Sequence, residues 1–210
     1  MLLMCLPAVE LVTIAKDIVV ALAAVVAAGV AVKGLTTWNR QLRGTAGFDI
    51  ARSVAKCSYK VRDRLQACRS PLLSAHEFSA EYHEGGLQKS TEQEARGYAF
   101  VYSNRWNPVW EAIQELDAST LEAEALWGQP IRQATDQLRT VAREVNIAID
   151  ALISDAASGG ENFASDRDFG RQIRATVSAL PTDSANSINM KMTDAILAID
   201  DQLRAHLQRS

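Results

Sequence analysis

Residues 17–34 read DIVVALAAVVAAGVAVKG. From Ile18 to Val32 there are fifteen residues without a charge. An amphipathic helix shows one apolar stripe and one polar face, whereas this stretch is apolar on every face. A bilayer-spanning helix needs about 20 mostly apolar residues. Leu11, Val12, Thr13, Ile14 and Ala15 extend the run upstream, across Lys16 and Asp17. The pattern predicts a span from Val12 to Leu35, with residues 1–35 as the membrane segment. The competing readings are a buried core helix and a cleaved signal peptide. A signal peptide opens with a basic region. Here Met1 to Asp17 holds Glu10, Lys16 and Asp17, which is net negative.

Charge then sets an orientation. Between Lys33 and Arg69 lie nine basic residues, including Lys33, Arg40, Arg43, Arg52, Lys56 and Lys60, opposed by Asp49 and Asp63. The upstream side has Lys16 alone. Positive charge flanking a span stays on the cytoplasmic side. The expectation is an external N-terminus and a cytoplasmic remainder. The six basic residues just named are candidates for contact with anionic lipid headgroups or a protein partner. Residues 70–210 are acidic, which argues against nucleic acid spread over that surface.

Within the span, Ala23, Ala27 and Ala31 are spaced four apart, as are Ala24 and Ala28, with Gly29 beside them. Small residues at this spacing let helix backbones approach closely in lipid. They are the candidate packing surface for a homo-oligomer.

Beyond the span the hydrophobic period is helical almost throughout. Residues 36–69 form a basic helix carrying Ala51, Val54, Ser58, Val61, Leu65 and Cys68 on one stripe. Gly44 and Gly47 are expected to bend or break the path into it, with Thr45 as a cap. Residues 70–210 form the rest of the bundle. Pro71 ends the basic helix, and His76 to Ser90 read mainly as a loop. Ser90-Thr91-Glu92-Gln93 has the form of a capping box. The helix behind it is expected to kink or break at Pro108, with Trp106 and Trp110 filling the gap, and to give way to a short helix over Asp117 to Trp127. Pro130 opens the next helix, whose stripe is Ile131, Ala134, Leu138, Val141, Val145, Ile149 and Leu152. Ser158-Gly159-Gly160 ends it. A shorter helix carries Phe169, Ile173, Val177 and Leu180, and a last one carries Ile188, Met192, Ala195, Ile199, Leu203 and His206. No segment alternates with period two. The fold class is all-α: a membrane helix leading into a bundle of about four or five helices.

Chemistry is sparse. There is no phosphate loop, dinucleotide fingerprint or nucleophile elbow. Cys5, Cys57 and Cys68 match no zinc spacing, and Cys57 and Cys68 share a helix face as reduced core residues. His76, His83 and His206 lack paired-ligand spacing. Neither a metal nor a cofactor is expected, and no enzymatic activity.

Two stretches carry a resemblance. TTWNRQLRGTAGFDIARSV (36–54) and KVRDRL (60–65) followed by RSPLLSAHE (69–77), behind a short anchor, resemble small bacterial membrane-anchored helical proteins. In layout they are similar to the HEPN-like membrane accessory proteins of RNA-targeting CRISPR systems. The likeness covers residues 15–77 and implies a homo-oligomer in the bacterial inner membrane, serving phage defence by perturbing or conducting through the bilayer. Arg69 and His76 also resemble the R-x(4–6)-H motif of HEPN ribonucleases, in which Arg stabilises phosphate and His moves protons. The chain departs from that motif at Ser70, where Asn, His or Asp is usual, and at Pro71. The alternatives are therefore a membrane-tethered module that recruits a cytoplasmic protein, and a HEPN-type ribonuclease.

Overall fold

The computed structural model describes the backbone of residues 8–84 and 89–208. Side chains are described for residues 12–36, 38, 45–84 and 89–208. The elements are helical throughout: α1 (Ala8–Cys68), a 3-10 turn (Ala75–Glu77), α2 (Ala80–Glu84), α3 (Thr91–Trp127), α4 (Gln129–Ala157), α5 (Glu161–Ser165), α6 (Arg167–Val177) and α7 (Ser187–Leu207). Among the described residues there is no strand, as the absence of period-two alternation implies. The chain forms two compact units, one ending at Ala46 and one beginning at Gly47.

In the first unit, Val12–Thr36 is a single apolar stretch with a mean hydropathy of 2.4, and none of it is buried. The expectation of a break at Gly44 and Gly47 is corrected: helical hydrogen bonding runs through both positions, and Thr45 is a helix-interior residue rather than a cap. A glycine costs about 1 kcal/mol in a helix, which a long helix with good neighbours absorbs. The unit boundary at Gly47 is a boundary of packing rather than of secondary structure.

The second unit is built around α4, which packs against α3, α6 and α7. Its stripe from Ile131 to Ile149 is buried, and Leu152 is half-buried. The α1 stripe Ala51, Val54, Ser58, Val61, Leu65 and Cys68 is buried in the same core. It meets α3 through Ser53 Oγ and Ser119 Oγ (3.0 Å), and α7 through the Tyr59 hydroxyl, which donates to Asp200 Oδ1 (2.8 Å). That hydrogen bond, helped by burial, raises the Tyr59 pKa. Cys57 and Cys68 are buried and free, and burial pushes the Cys68 thiol up to about 11. Cys5 lies outside the described residues.

Pro108 does not break α3, nor is Asp117 to Trp127 a separate helix. Proline removes one i→i−4 hydrogen bond, here to Asn104. Asn104 is an exposed residue, on the solvent side of the helix. Buried Tyr102 and Val109 hold the helix on either side. Trp106 packs on the core, but Trp110 is 53% exposed and fills nothing. Phe169, expected on the α6 stripe, is also largely exposed and meets Phe163 edge-on.

The ends follow local chemistry. Ser90 and Gln93 form the reciprocal capping box of α3. Asp166 caps α6 and Asn186 caps α7. Gly159 and Gly160 take left-handed φ values of 69° and 87° after α4, a turn that glycine accepts without strain. The stretch after α1 is more ordered than its loop-like sequence implies, with the 3-10 turn and α2 inside it.

Candidate functional site

Four features bear on function. The first is the apolar surface of Val12–Thr36. Val25 is 70% exposed, Val30 67% and Leu22 61%. Ala23, Ala24, Ala27, Ala28, Gly29 and Ala31 are exposed along the same helix, and a Cβ added at Gly29 would meet nothing within 4 Å. Contiguous apolar surface on this scale marks a face that another apolar phase or chain covers.

The second is a basic face on the α1 segment of the bundle unit. Arg52, Lys56, Lys60 and Arg64, with Ala55, Tyr59 and Asp63, line one open depression opposite the buried stripe. Arg52, Lys56 and Arg64 are exposed and make no ion pair among the described residues. Lys60 differs: its Nζ lies 2.7 Å from Glu115 of α3, so it is spent within the bundle. Lys33 is exposed, and its carbonyl accepts from Thr36 Oγ1 at 2.9 Å. The side chains of Arg40 and Arg43 lie outside the described residues.

The third is Arg69. Only 1% of it is exposed. Nε donates to the Thr176 carbonyl (2.7 Å), Nη1 to Asn189 Oδ1 (2.6 Å), and Nη2 to Asn186 Oδ1 (2.8 Å) and the Ala175 carbonyl (3.3 Å). No carboxylate pairs with it among the described residues. Its charge is met instead by the C-terminal carbonyls of α6, the negative end of that helix. Burial lowers its pKa, but a guanidinium remains charged. Asn186 and Asn189 are held in turn: the Asn186 amide donates to the Ala175 carbonyl and the Asn189 amide to the carbonyls of Leu180 and Asp183. His76 is exposed on the 3-10 turn. No hydrogen bond joins it to Arg69.

The fourth is Arg105, which sequence reasoning missed. It donates to Glu77 (2.5 Å) and to the carbonyls of Ser70 (2.8 Å) and Leu72 (2.6 Å). This one side chain folds the stretch after α1 back onto α3. The guanidinium holds the Glu77 carboxyl below the usual carboxylate range, chiefly through that hydrogen bond. Neither the Arg105 contacts nor the bonds of Asn186 and Asn189 to Arg69 have a local sequence signature, because those partners are more than 25 residues away.

Among the described residues no group of three His, Cys, Asp or Glu side chains is placed to hold a metal ion. No protein-family profile, no curated protein and no solved structure matches the chain.

Proposed function

We infer that this chain is a single-pass membrane protein whose helical bundle sits on the cytoplasmic side and which self-associates through its span. The observation that carries the reading is Val12–Thr36: 25 residues, mean hydropathy 2.4, none of it buried by the rest of the chain. Hiding one Val, Leu or Ile side chain from water is worth roughly 1.5–3 kcal/mol. Eleven such side chains between Val12 and Leu35 are exposed. A bilayer covers them all. The small residues from Ala23 to Ala31 then form the face on which copies pack, and Lys33, Arg40 and Arg43 meet anionic headgroups at the cytoplasmic end. The activity we propose is perturbation of, or conduction through, a bacterial inner membrane in phage defence, without enzymatic chemistry.

A second reading is favoured by the unpaired Arg52, Lys56 and Arg64: the span is a tether and this basic face recruits an acidic cytoplasmic protein. The ribonuclease reading has the weakest support, since the Arg69 donors are directed at α6 and α7.

The test has two stages. Membranes from cells expressing the chain are extracted with alkaline carbonate; protein released into the supernatant overturns the membrane reading. Light scattering with the detergent mass subtracted then gives the subunit number. A closed assembly lost on A24L/A28L/G29L supports self-association, and a monomer in both proteins leaves the tether as the better account.

A further inference from the structure

The outer face of α3 lies wholly within the bundle unit and carries an inference beyond the membrane reading. Steps of three and four residues lead from Phe100 to Ala125 through Asn107, Trp110, Gln114 and Leu121, and every residue on that line is exposed and uncharged. Residues so spaced share one side of a helix. At 1.5 Å per residue the line is about 39 Å long. Phe100, Trp110 and Leu121 are each about half-exposed on it. Singly, such residues on a surface need no explanation. Aligned on one uncharged line at this spacing, they have the form of the seam along which two helices pack.

The two flanks of the seam differ in charge. On one side stands α1, where Lys60 Nζ lies 2.7 Å from Glu115 and Ser53 meets Ser119. Glu111 and Glu122, four before and seven after Glu115, share that side and form no ion pair among the described residues. On the other side stands α4, with Arg139 Nε 3.3 Å from Asp117 and Arg132 Nη1 3.5 Å from Glu124. Both arginine side chains are about one-third exposed, so each has room for a further acceptor.

That difference selects the occupant and its direction. A two-fold axis along the helices sets two copies of α3 parallel and brings the α1 side of each against the α4 side of the other. Glu122 of one copy then comes opposite the Asp117–Arg139 pair of the other, as flanking charges do in a parallel coiled coil. An antiparallel pair would instead set the unpaired Glu111 and Glu122 of both copies on the same side, like charge against like. Parallel pairing also sets each seam residue against its own copy, Trp110 on Trp110 and Leu121 on Leu121. Asn107 meets Asn107, and an Asn in such a seam fixes the register because its amide finds a partner in its twin.

We propose that the outer face of α3 packs, parallel and in register, against the same face of a second copy of this chain. The test is disulfide trapping in the full-length chain carrying C5S. S103C and A118C stand on the seam, and in a register-matched pair each meets its twin with Cα atoms about 4.4–6.8 Å apart, within disulfide reach. T193C, exposed on α7, measures collisions between copies brought close by any other contact, the span included. Broken cells are oxidised and their proteins separated without reductant. A linked dimer is expected for S103C and for A118C and not for T193C. W110E/L121E sets unpaired charges in the seam without touching the core, and is expected to abolish the A118C dimer while melting by circular dichroism stays unchanged. Five results would overturn the proposal: no dimer at either seam position, an equal dimer in T193C, an A118C dimer that survives W110E/L121E, a dimer formed only when S103C and L121C chains are co-expressed, which is the antiparallel pair, or an adduct of another mass, which gives the seam to a different protein.

Discussion

The two ends of α1 are made of the same secondary structure and live under opposite rules. Val12–Thr36 is apolar on every face and buried nowhere. From Ala51 to Cys68 the helix is apolar on one stripe, and that stripe is buried almost completely, with Val54, Val61 and Leu65 at 0% exposure. The charged residues Arg52, Lys56 and Arg64 stand on the other side. A helix satisfies its own backbone, so the backbone does not distinguish the two ends. What differs is the solvent for which each surface is written. The stripe is matched to the core of its own unit, and the all-round apolar surface is buried by none of the described residues.

That contrast breaks most sharply under a buried charge. V61D places a carboxylate in the core and is expected to unfold the bundle or destabilise it by roughly 3–5 kcal/mol, seen as a loss of cooperative melting by circular dichroism. V26D in the span is expected to leave that melting transition unchanged and to cut the carbonate-resistant fraction by about tenfold, since a charged residue at a bilayer centre is strongly disfavoured. Equal effects of both changes on melting would join the two ends into one folding unit.

Next in size is the Arg69 network. R69M removes the donor that serves two carbonyls and two asparagine side chains, and is expected to cost about 2–4 kcal/mol, measured by denaturant unfolding. H76A, at an exposed position, is expected to stay within about 0.5 kcal/mol. The pair separates a structural arginine from a catalytic couple, for which both changes would act on activity alone.

A glycine comparison is smaller. At Gly170 an added Cβ would sit 2.7 Å from Phe163 Cβ, so G170A is expected to destabilise the bundle by about 1–3 kcal/mol through overpacking. G29A meets no atom and is expected to leave melting untouched. A lower subunit number in G29A would then report packing between copies.

The smallest effect is one of pH. The folded Glu77 carboxyl is held below its ordinary value, so the unfolded chain binds the proton more readily. Its contribution to stability is present above the unfolded value, near about 4.3, and is lost as pH falls through the folded one. E77Q is expected to flatten the acid limb of a melting-temperature profile and to leave its slope above neutral pH unchanged.

The helices were legible in the sequence because each carries its period and its stops: the α4 stripe, the capping box at Ser90, the glycines after α4. The breaks that Pro108 and Gly47 suggested do not occur, since a local breaker is overruled when neighbours on both sides are held in place. The unmatched apolar span was legible for the same reason as the stripes, because a surface with no polar face needs no partner to be recognised. Arg69 was visible as a residue, but its hydrogen-bond partners were not. Two of them, Asn186 and Asn189, lie more than a hundred positions along the chain. Period and capping are written within a few residues because a helix is bonded to itself. Which buried polar groups find partners is settled between distant segments, so only the folded chain decides that Arg69 is satisfied and that, among the described residues, Thr120 Oγ1 is not.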